Sequence, residues 1–497
     1  MTPGHDVEER WRGRCEAGLL CAAALLFLVG LGRTDFWEPD EPRHGAIAEE
    51  MRALTHGPAQ LALPRLNGEV YTQKPPLYYW LAALAGLPAG RVSEGAARLP
   101  SALAGIGMVL LALRLGREAL GGLAGVAAGA VLLTLPAFVD LGRSARPDAL
   151  LALCVTAALL FAWRVDRGLD SAARSRWLMH LSMGLGLLAK GPVAVLLPLL
   201  GLLAYLGWER RLRDLGRFVS APALAASLGP GLVWISLAAA LAPSGFVKEA
   251  VGENVLLRFF AGTDHTRSPL FYLADFPGSF LPWSLTWPLA AWTGRAALGR
   301  SAAGNRASAI RFLLAFVAAG LLFFSLSKGK RDVYLLPLYP AAALLVGCAL
   351  EAWIRPHLVT PASSERPSPA AWTGLGVLGA AVALELAYLT VYLPRQNGEQ
   401  SIRPAATAAA ELAPPGTRIG LHSNGALVGG VAYYARRPVE EIGSATGLRR
   451  FLASGGRVVV VESEHLRELE AVAPTRIVFR QTLSGDEMLV VVPAGER

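Results

Sequence analysis

Residues 312–338 read FLLAFVAAGLLFFSLSKGKRDVYLLPL, two apolar runs joined by a short turn that carries three cations. The first run has no charged residue, and the second continues to Ala352. Runs of this kind are typical of helices that cross the roughly 30 Å hydrocarbon core of a bilayer. The stretch therefore indicates two membrane helices, with Lys328, Lys330 and Arg331 at the turn between them.

Similar apolar runs recur from Ala17 to Tyr392, and none follows Arg395. The 497-residue chain is 53% hydrophobic and only 17% charged, with a mean hydropathy of +0.41. Soluble proteins are about 25% charged, so this composition indicates a protein that is solvated by lipid. We predict a mostly helical, polytopic membrane protein with about eleven spans. They are 17–32, 98–115, 121–139, 149–165, 177–189, 193–208, 218–241, 276–292, 312–326, 333–352 and 372–393.

The distribution of arginine predicts the orientation of these spans. If the N-terminus is cytoplasmic and the short apolar segment 77–87 does not cross, nearly every arginine-rich loop faces the cytoplasm, as the positive-inside rule expects. The odd number of spans then places the C-terminal tail outside. Two outer loops, 140–148 and 327–332, are nevertheless cationic. Binding of an anionic ligand is the simplest reason for those charges.

The sequence predicts two domains. Residues 1–395 form a membrane domain whose first outer loop spans 33–97, and residues 396–497 form a small soluble α/β domain. In the tail we predict helices at 404–412 and 448–453, strands at 418–422 and 457–461, and a hairpin of 476–483 with 488–492.

The charge and cysteine content exclude some classes of protein. The formal net charge is +9, but the basic residues lie mostly in short loops between apolar spans, so we predict no nucleic-acid partner. The four cysteines lie in or beside apolar spans and form no metal-ligand spacing or disulfide framework; they are Cys15, Cys21, Cys154 and Cys348.

The first outer loop carries two motifs. Asp40 and Glu41, in WEPDEPR, precede a helical stretch and are candidate catalytic carboxylates, although an N-cap of a surface helix is the simpler alternative. Lys74, in YTQKPPL, lies beside two prolines before an interfacial segment, where an ammonium group can bind a lipid phosphate. A lysine that snorkels to the interface is the alternative.

Further candidates lie in later outer loops. Asp148 begins a predicted span, and pairing with Arg146 is as simple an explanation as function. Lys190-Gly191-Pro192 is consistent with a tight turn alone. His265 could be a metal ligand, an acid–base group or an ordinary loop histidine. Cations of the turn 327–332, with Tyr334 at the membrane boundary, form a candidate phosphate clamp.

Together these motifs place carboxylates, a histidine and several cations on one side of the membrane. Transfer of a sugar from a phosphate carrier needs such a set, because cations stabilise the departing phosphate and a carboxylate deprotonates the acceptor. A transporter or flippase of lipid-linked sugars is the main alternative, and a membrane scaffold is a third. Transporters usually have internal repeats and ionisable residues near the membrane midplane, and the sequence shows neither clearly.

Six segments together resemble one family, the bacterial branch of the dolichyl-phosphate-mannose–protein mannosyltransferases, and within it the aminoarabinose lipid A transferases in particular. The segments are DEPRHGAIAEEM at 40–51, Asn67-Gly68, Lys74-Pro75-Pro76-Leu77, Ala97-Arg98-Leu99-Pro100-Ser101, Ala189-Lys190-Gly191-Pro192 and YLLPLYP at 334–340.

The resemblance implies a GT-C fold with up to two more spans, so about 11–13 in all. It implies inverting transfer from an undecaprenyl-phosphate sugar to a lipid or protein acceptor at the periplasmic face of the inner membrane. Asp40 would be the essential carboxylate with Glu41 adjacent, and Asp148 and Tyr334 would be further site residues, with His265 as an additional candidate. The implied phosphate ligands are Lys74 and Arg267, to which we add Arg43, Lys328 and Arg331.

One departure from the family concerns metal. The lipid A transferases carry a glutamate zinc ligand just before the Lys-Pro-Pro lysine, where this chain has Gln73. Asn254 stands where a histidine often occurs. We therefore predict no metal ligands and leave a divalent metal, and lipid A as the acceptor, open.

Overall fold

The computed structural model describes residues 3–37, 39–257, 266–299, 304–358, 369–423 and 425–494. The chain divides into two compact units. The first, which we call the membrane unit, comprises Met1–Val29, Thr72–Leu77 and Ser101–Leu386. The second, which we call the mixed unit, comprises Gly30–Tyr71, Tyr78–Pro100 and Ala387–Arg497.

The described part of the membrane unit is almost entirely helical. Its main helices are α1 (Pro3–Leu28), α4 (Glu94–Ala119, which begins in the mixed unit), α5 (Gly122–Leu133), α6 (Pro136–Arg143), α7 (Asp148–Arg167), α8 (Ala172–Lys190), α9 (Val193–Trp208), α10 (Ala221–Leu241), α11 (Phe271–Ser279), α12 (Trp287–Leu298), α13 (Asn305–Leu326), α14 (Tyr339–Leu358) and α15 (Pro369–Ala387). A π-helix spans Lys248–Leu257, and 3₁₀ turns span Leu212–Phe218, Trp283–Thr286 and Asp332–Leu338.

Six described helices are long and apolar enough to cross a membrane, or seven if the bent pair α5–α6 counts as one span. This supports a multi-pass membrane fold. The count is lower than the predicted eleven because several predicted spans fall on shorter, bent or more polar helices. The predicted span 193–208, for example, is a short apolar helix, Val193–Trp208. The segment Leu77–Ala89, which we predicted not to cross, is a short apolar helix as well.

Prolines break two of the predicted spans. The span 121–139 bends by 69° between α5 and α6, where Pro136 disfavours helical geometry in Leu135. The predicted helix 276–292 was wrong as a continuous element. It contains Pro277, Pro282 and Pro288, and the chain forms α11, a 3₁₀ turn and α12 there.

Small residues allow close helix packing in the membrane unit. A β-carbon at Gly116 of α4 would collide with the backbone of Gly125 in α5. A β-carbon at Gly347 of α14 would collide with the backbone of Ala124. In lipid, where helices gain little from hydrophobic burial against one another, such close approach supplies much of the packing energy.

Before the tail, the mixed unit contains the α-helices α2 (Asp40–Ala53) and α3 (Leu77–Gly86, which starts at the unit boundary). It also contains a small hairpin of β1 (Arg65–Leu66) with β2 (Glu69–Val70). A π-helix at Tyr388–Tyr392 leads into its tail. The tail elements are α16 (Arg403–Leu412), β3 (Ile419–His422), α17 (Val428–Ala435), β4 (Val439–Glu441), α18 (Ala445–Ala453), β5 (Val459–Glu462), α19 (Leu466–Glu470), β6 (Thr475–Leu483) and β7 (Asp486–Pro493).

The five tail strands form one sheet in the order β4-β3-β5-β7-β6. β3 pairs in parallel with β4 and β5, whereas β7 pairs antiparallel with β5 and β6. The core is formed by apolar side chains from both sides of this sheet, including Val460, Val490 and Phe451. The hairpin turn uses positive φ at Ser484 and Gly485, as the Ser-Gly-Asp sequence predicts.

The predicted tail helices, strands and hairpin are all found within two or three residues of their predicted bounds. The sequence analysis missed α17, β4 and the short helix α19. Two glycines, Gly429 and Gly430, lower the helix propensity of α17. Tertiary packing requires one of them, because a β-carbon at Gly429 would lie 2.6 Å from the Cα of Arg43 in α2.

Candidate active site

The first candidate cluster lies at the start of α2. Asp40 and Glu41 occupy the first helical turn, where the helix dipole favours carboxylates, and both are buried. The alternative of an N-cap is not found, because Pro39 is the capping residue and no side chain caps the helix. Arg43 follows one turn later, with its Nη1 3.7 Å from Asp40 Oδ1. The structure thus brings Asp40 and Arg43 together, with Arg43 partly exposed.

Glu41 has a different environment, since it forms a buried ion pair with Arg98. Arg98 Nε donates to Glu41 Oε1 over 2.8 Å, and Arg98 Nη2 donates to Oε2 over 2.6 Å. The remaining donors of this guanidinium go to the carbonyl oxygens of Leu31, Thr34 and Asp35. Guanidinium has five N–H groups, and all five are used. Arg98 therefore connects the start of α4 both to α2, through Glu41, and to the segment before α2, through the three carbonyls.

Aromatic side chains pack beside Asp40 along α2. His44 lies one turn after Asp40, and its Nδ1 is 2.9 Å from the hydroxyl of Tyr79. Its ring also lies 5.7 Å from that of Tyr78, and Tyr71 packs edge-on to Tyr79. The sequence analysis gave His44 no role. His44 is buried, with only 5% of its surface exposed, and this burial could not be predicted from the sequence.

The end of α2 explains the Asn67-Gly68 pair of the resemblance. Glu50 accepts hydrogen bonds from the backbone N–H groups of Asn67, over 2.5 Å, and Gly68. Burial raises the pKa of Glu50, and these two hydrogen bonds oppose the shift. The Asn67 side chain bonds both the N–H and the carbonyl of Val439 in β4. The motif therefore fixes the loop to the tail sheet, a structural role.

The second candidate cluster lies in the membrane unit around Asp148. Asp148 is the first residue of α7, and it forms a buried ion pair with Lys190, the last residue of α8. The ammonium group of Lys190 also lies 4.8 Å from the ring centroid of Tyr334. The positive charges of Arg146 and Lys74 act on the same carboxylate. Three cations therefore surround one anion.

The sequence analysis identified Asp148, Lys74 and Tyr334 as candidate site residues, but it interpreted Lys190 only as part of a tight turn. In the structure the tight turn exists, with Gly191 at a φ of 102°, and it aims Lys190 at Asp148. Arg146 had been considered as the simple partner of Asp148, whereas the ion pair is made by Lys190. Lys190 could have been identified as a site residue because it lies in the segment Ala189–Pro192, which contributes to the family resemblance.

The remaining predicted cations lie on two neighbouring segments of the membrane unit. Thr266 and Gly329 form a backbone bridge, and the Tyr272 hydroxyl donates to the Arg331 carbonyl over 2.9 Å and accepts from its N–H. Arg267 is exposed and lies over the ring of Phe271, 4.4 Å from its centroid. His265 lies outside the described residues.

The three cations of the turn 327–332 are not equivalent. Lys328 is exposed, and Arg331 is half-buried. Lys330 instead points inward and donates to the carbonyl of Ser327, and burial lowers its pKa. Only Lys328 and Arg331 therefore keep side chains at the surface, where an anion can reach them.

The two positions at which the sequence departs from the resemblance hold amides. Gln73 is exposed. Asn254 Nδ2 donates to Thr72 Oγ1 over 3.3 Å and to the carbonyl of Glu249 over 2.9 Å. The Asn254 amide nitrogen is therefore a hydrogen-bond donor and is not itself a metal ligand.

The chain is similar in sequence to a known family of glycosyltransferases. The model of the dolichyl-phosphate-mannose–protein mannosyltransferase family matches residues 73–234. The undecaprenyl phosphate-α-4-amino-4-deoxy-L-arabinose arabinosyl transferase 1 of Pseudomonas fluorescens is 31% identical over 360 residues, which is 71% of this chain and 60% of that protein. A Pseudomonas aeruginosa protein of the same name is 33% identical over 68% of this chain and 60% of its own length. The chain thus matches about 60% of the length of these relatives.

Two solved structures share the fold. The crystal structure of ArnT from Cupriavidus metallidurans bound to undecaprenyl phosphate has a TM-score of 0.77 at 22% identity, covering 96% of this chain and 98% of that one. The archaeal oligosaccharyltransferase AglB from Archaeoglobus fulgidus has a TM-score of 0.57 at 13% identity, covering 92% of this chain and 70% of that one. The predicted GT-C fold is therefore confirmed.

Proposed function

Because the chain belongs to the GT-C glycosyltransferases of the protein mannosyltransferase and aminoarabinose transferase family, we propose that it transfers one sugar from an undecaprenyl-phosphate donor to a lipid or protein acceptor. The reaction takes place at the periplasmic face of the bacterial inner membrane. The predicted positive-inside orientation supports this location, because it puts both candidate clusters outside the cytoplasm.

The observation that carries the proposal is the charge balance around Asp148. Lys190 pairs with this carboxylate, and the positive charges of Arg146 and Lys74 also act on it. Several fixed cations at one place bind a phosphate and stabilise the negative charge that develops as it departs. Arg267, Lys328 and Arg331 are further cations of the membrane unit that would attract the donor.

Asp40 is the proposed catalytic carboxylate. In the reaction the bond between the anomeric carbon and the phosphate oxygen breaks, and the electron pair leaves with the phosphate. The acceptor attacks the opposite face of the sugar, which inverts the configuration, and its proton passes to Asp40. Arg43, 3.7 Å from Asp40, favours the ionised base. Both oxygens of Glu41 accept hydrogen bonds from Arg98, and the Trp37 N–H donates to Oε2, so we assign Glu41 a positioning role.

A transfer assay on the purified protein tests this proposal. A panel of undecaprenyl-phosphate sugars is supplied in liposomes with a membrane lipid and protein extract, and sugar on the acceptor is measured. We expect transfer by the wild type and a loss of at least about 100-fold in Asp40→Asn, which removes the base. Asp35→Asn is the matched control, since Asp35 is also buried in the mixed unit and pairs with Arg403 instead.

Two results would contradict the proposal. Full activity of Asp40→Asn would remove Asp40 from the mechanism. Movement of the intact lipid-linked sugar across the bilayer, with no bond broken, would identify a flippase instead.

A further inference from the structure

The tail sheet brings three potential metal ligands to one edge. β3 ends at His422, and its parallel neighbour β5 ends at Glu462. Because parallel strands point the same way, the segments that follow them lie at a common edge, the usual place for ligands in α/β folds. After β5 the chain turns through His465 and enters the short helix α19, which carries Glu468.

The distances among these three side chains suit one small cation. His422 Nε2 lies 3.1 Å from Glu468 Oε2, and His465 Nδ1 lies 3.5 Å from Glu468 Oε1. One ligand atom from each residue lies within 4.8 Å of the others. Four ligands held about 2.0–2.1 Å from a tetrahedral Zn²⁺ are separated by roughly 3.4 Å, so only small adjustments are needed.

The chemistry of the set also points to a transition metal. Two imidazoles and one carboxylate are a donor set that Zn²⁺ prefers in proteins. The centroids of the two imidazole rings lie 4.7 Å apart, so both rings are close to the same edge of the sheet.

We propose that His422, His465 and Glu468 bind one Zn²⁺ ion at the carboxyl edge of the tail sheet, with water as the fourth ligand. The burial gradient fits this arrangement: the His422 side chain is 8% exposed and that of Glu468 is 58% exposed. The ion is held against the sheet by His422 and stays open to solvent beyond Glu468. It links β3 to the segment after β5. This site is independent of the proposed transferase reaction and of positions 73 and 254.

A second group shares His465 and provides a built-in comparison. Glu462, Glu464 and His465 also lie close together, but Glu464 is 74% exposed and no member of the group is buried. The site that includes the buried His422 has the more rigid frame. Loss of binding on changing Glu468, and not Glu464, separates the two groups.

Zinc binding to the full-length protein in detergent tests the proposal. The protein is treated with a chelator, dialysed against increasing ZnSO₄, and its bound zinc is measured. Co²⁺ is added in a parallel experiment, because its visible absorption reports tetrahedral coordination. The variants are His465→Ala and Glu468→Gln. The control is Glu470→Gln, which makes the same charge change on an exposed residue of α19 outside the cluster.

We expect the wild type and Glu470→Gln each to bind one more zinc ion per chain than His465→Ala. Glu468→Gln should bind this zinc ion at least about tenfold more weakly than the wild type. Zinc should also raise the thermal midpoint of the wild type more than that of Glu468→Gln. Equal zinc binding by the wild type, His465→Ala and Glu468→Gln would overturn the proposal and leave a simple His–Glu hydrogen-bond cluster. Glu464→Gln is a further variant, which tests the second group. Loss of zinc binding in Glu464→Gln but not in Glu468→Gln would overturn the proposal in favour of that group.

Discussion

Glu41 of the mixed unit and Asp148 of the membrane unit are both buried carboxylates paired with a cation, yet their surroundings differ. Glu41 faces one guanidinium, Arg98, whose other donors are all taken by backbone carbonyls. Asp148 faces Lys190 together with the charges of Arg146 and Lys74. In the first cluster one guanidinium uses all its donors, whereas in the second the charges of three cations act on one carboxylate.

This difference separates a structural ion pair from a candidate ligand site. A saturated pair has no donor left for a substrate, and removing one member leaves a buried charge uncompensated. A cluster with several cations can bind an anion while Lys190 keeps its pair with Asp148. Burial alone, which the two carboxylates share, therefore does not identify a catalytic group. The following variants test the distinction.

The largest expected effect follows removal of the Arg98 guanidinium. Arg98→Met leaves Glu41 buried and three carbonyls without their donor, so we expect a loss of about 3–5 kcal/mol in the free energy of unfolding. Thermal unfolding of the purified protein in detergent measures it. The double variant Arg98→Met with Glu41→Met should recover part of the loss, because no unpaired charge remains. Wild-type stability in the single variant would show that the pair is not structural.

A smaller effect, on binding rather than folding, is expected at Lys190. Lys190→Met removes the cation that pairs with Asp148, so this carboxylate draws instead on the charges of Arg146 and Lys74. One charge-assisted interaction with phosphate is then lost, which is worth about 1.5–3 kcal/mol, or roughly 10- to 150-fold in affinity. Competition binding of undecaprenyl phosphate to the purified protein measures this change. Lys190→Arg should keep most of the affinity, and Arg295→Met serves as the control because Arg295 is exposed and lies over Trp292. Unchanged affinity in Lys190→Met would show that the positive charge of Lys190 does not contribute to phosphate binding.

The smallest effect is expected for a pair in the mixed unit of which only one member, Asp35, is buried. Arg403 Nη1 lies 2.8 Å from Asp35 Oδ1, but the Arg403 side chain is 55% exposed. Solvent screens such a pair, so Arg403→Ala should cost no more than about 1 kcal/mol in the unfolding assay used for Arg98. A loss as large as that of Arg98→Met would mean that burial does not decide the energy of these pairs.

Much of the fold could be predicted because its signals are local. The lengths of apolar runs identify membrane helices, and alternation with turn residues identified β6, β7 and the Ser484–Gly485 turn. The signals failed where packing overrode local preference. α17 contains two glycines and was missed, although Gly429 is what allows that helix to approach α2. Prolines broke 276–292 in a run whose composition alone suggested one helix.

The candidate site was predicted in part. Asp40, Lys74, Asp148 and the cations of 327–332 were identified from motifs, and their roles stay predictions. The inward direction of Lys330 could not be predicted, because neighbouring cations in a turn look alike in sequence. Nor could the grouping of His422 with Glu468, which are 46 residues apart and lie at one edge only because β3 and β5 pair in parallel.

The sequence by itself determined the membrane class, the helical and α/β composition, and the residue types available for phosphate chemistry. These properties follow from hydropathy and charge along short stretches. The tertiary structure decided which charges pair: Glu41 with Arg98 across 57 residues, and Asp148 with Lys190 across 42. The physical reason is that the energy of an ion pair depends on distance, burial and the donors left over, and only packing of the helices fixes these three.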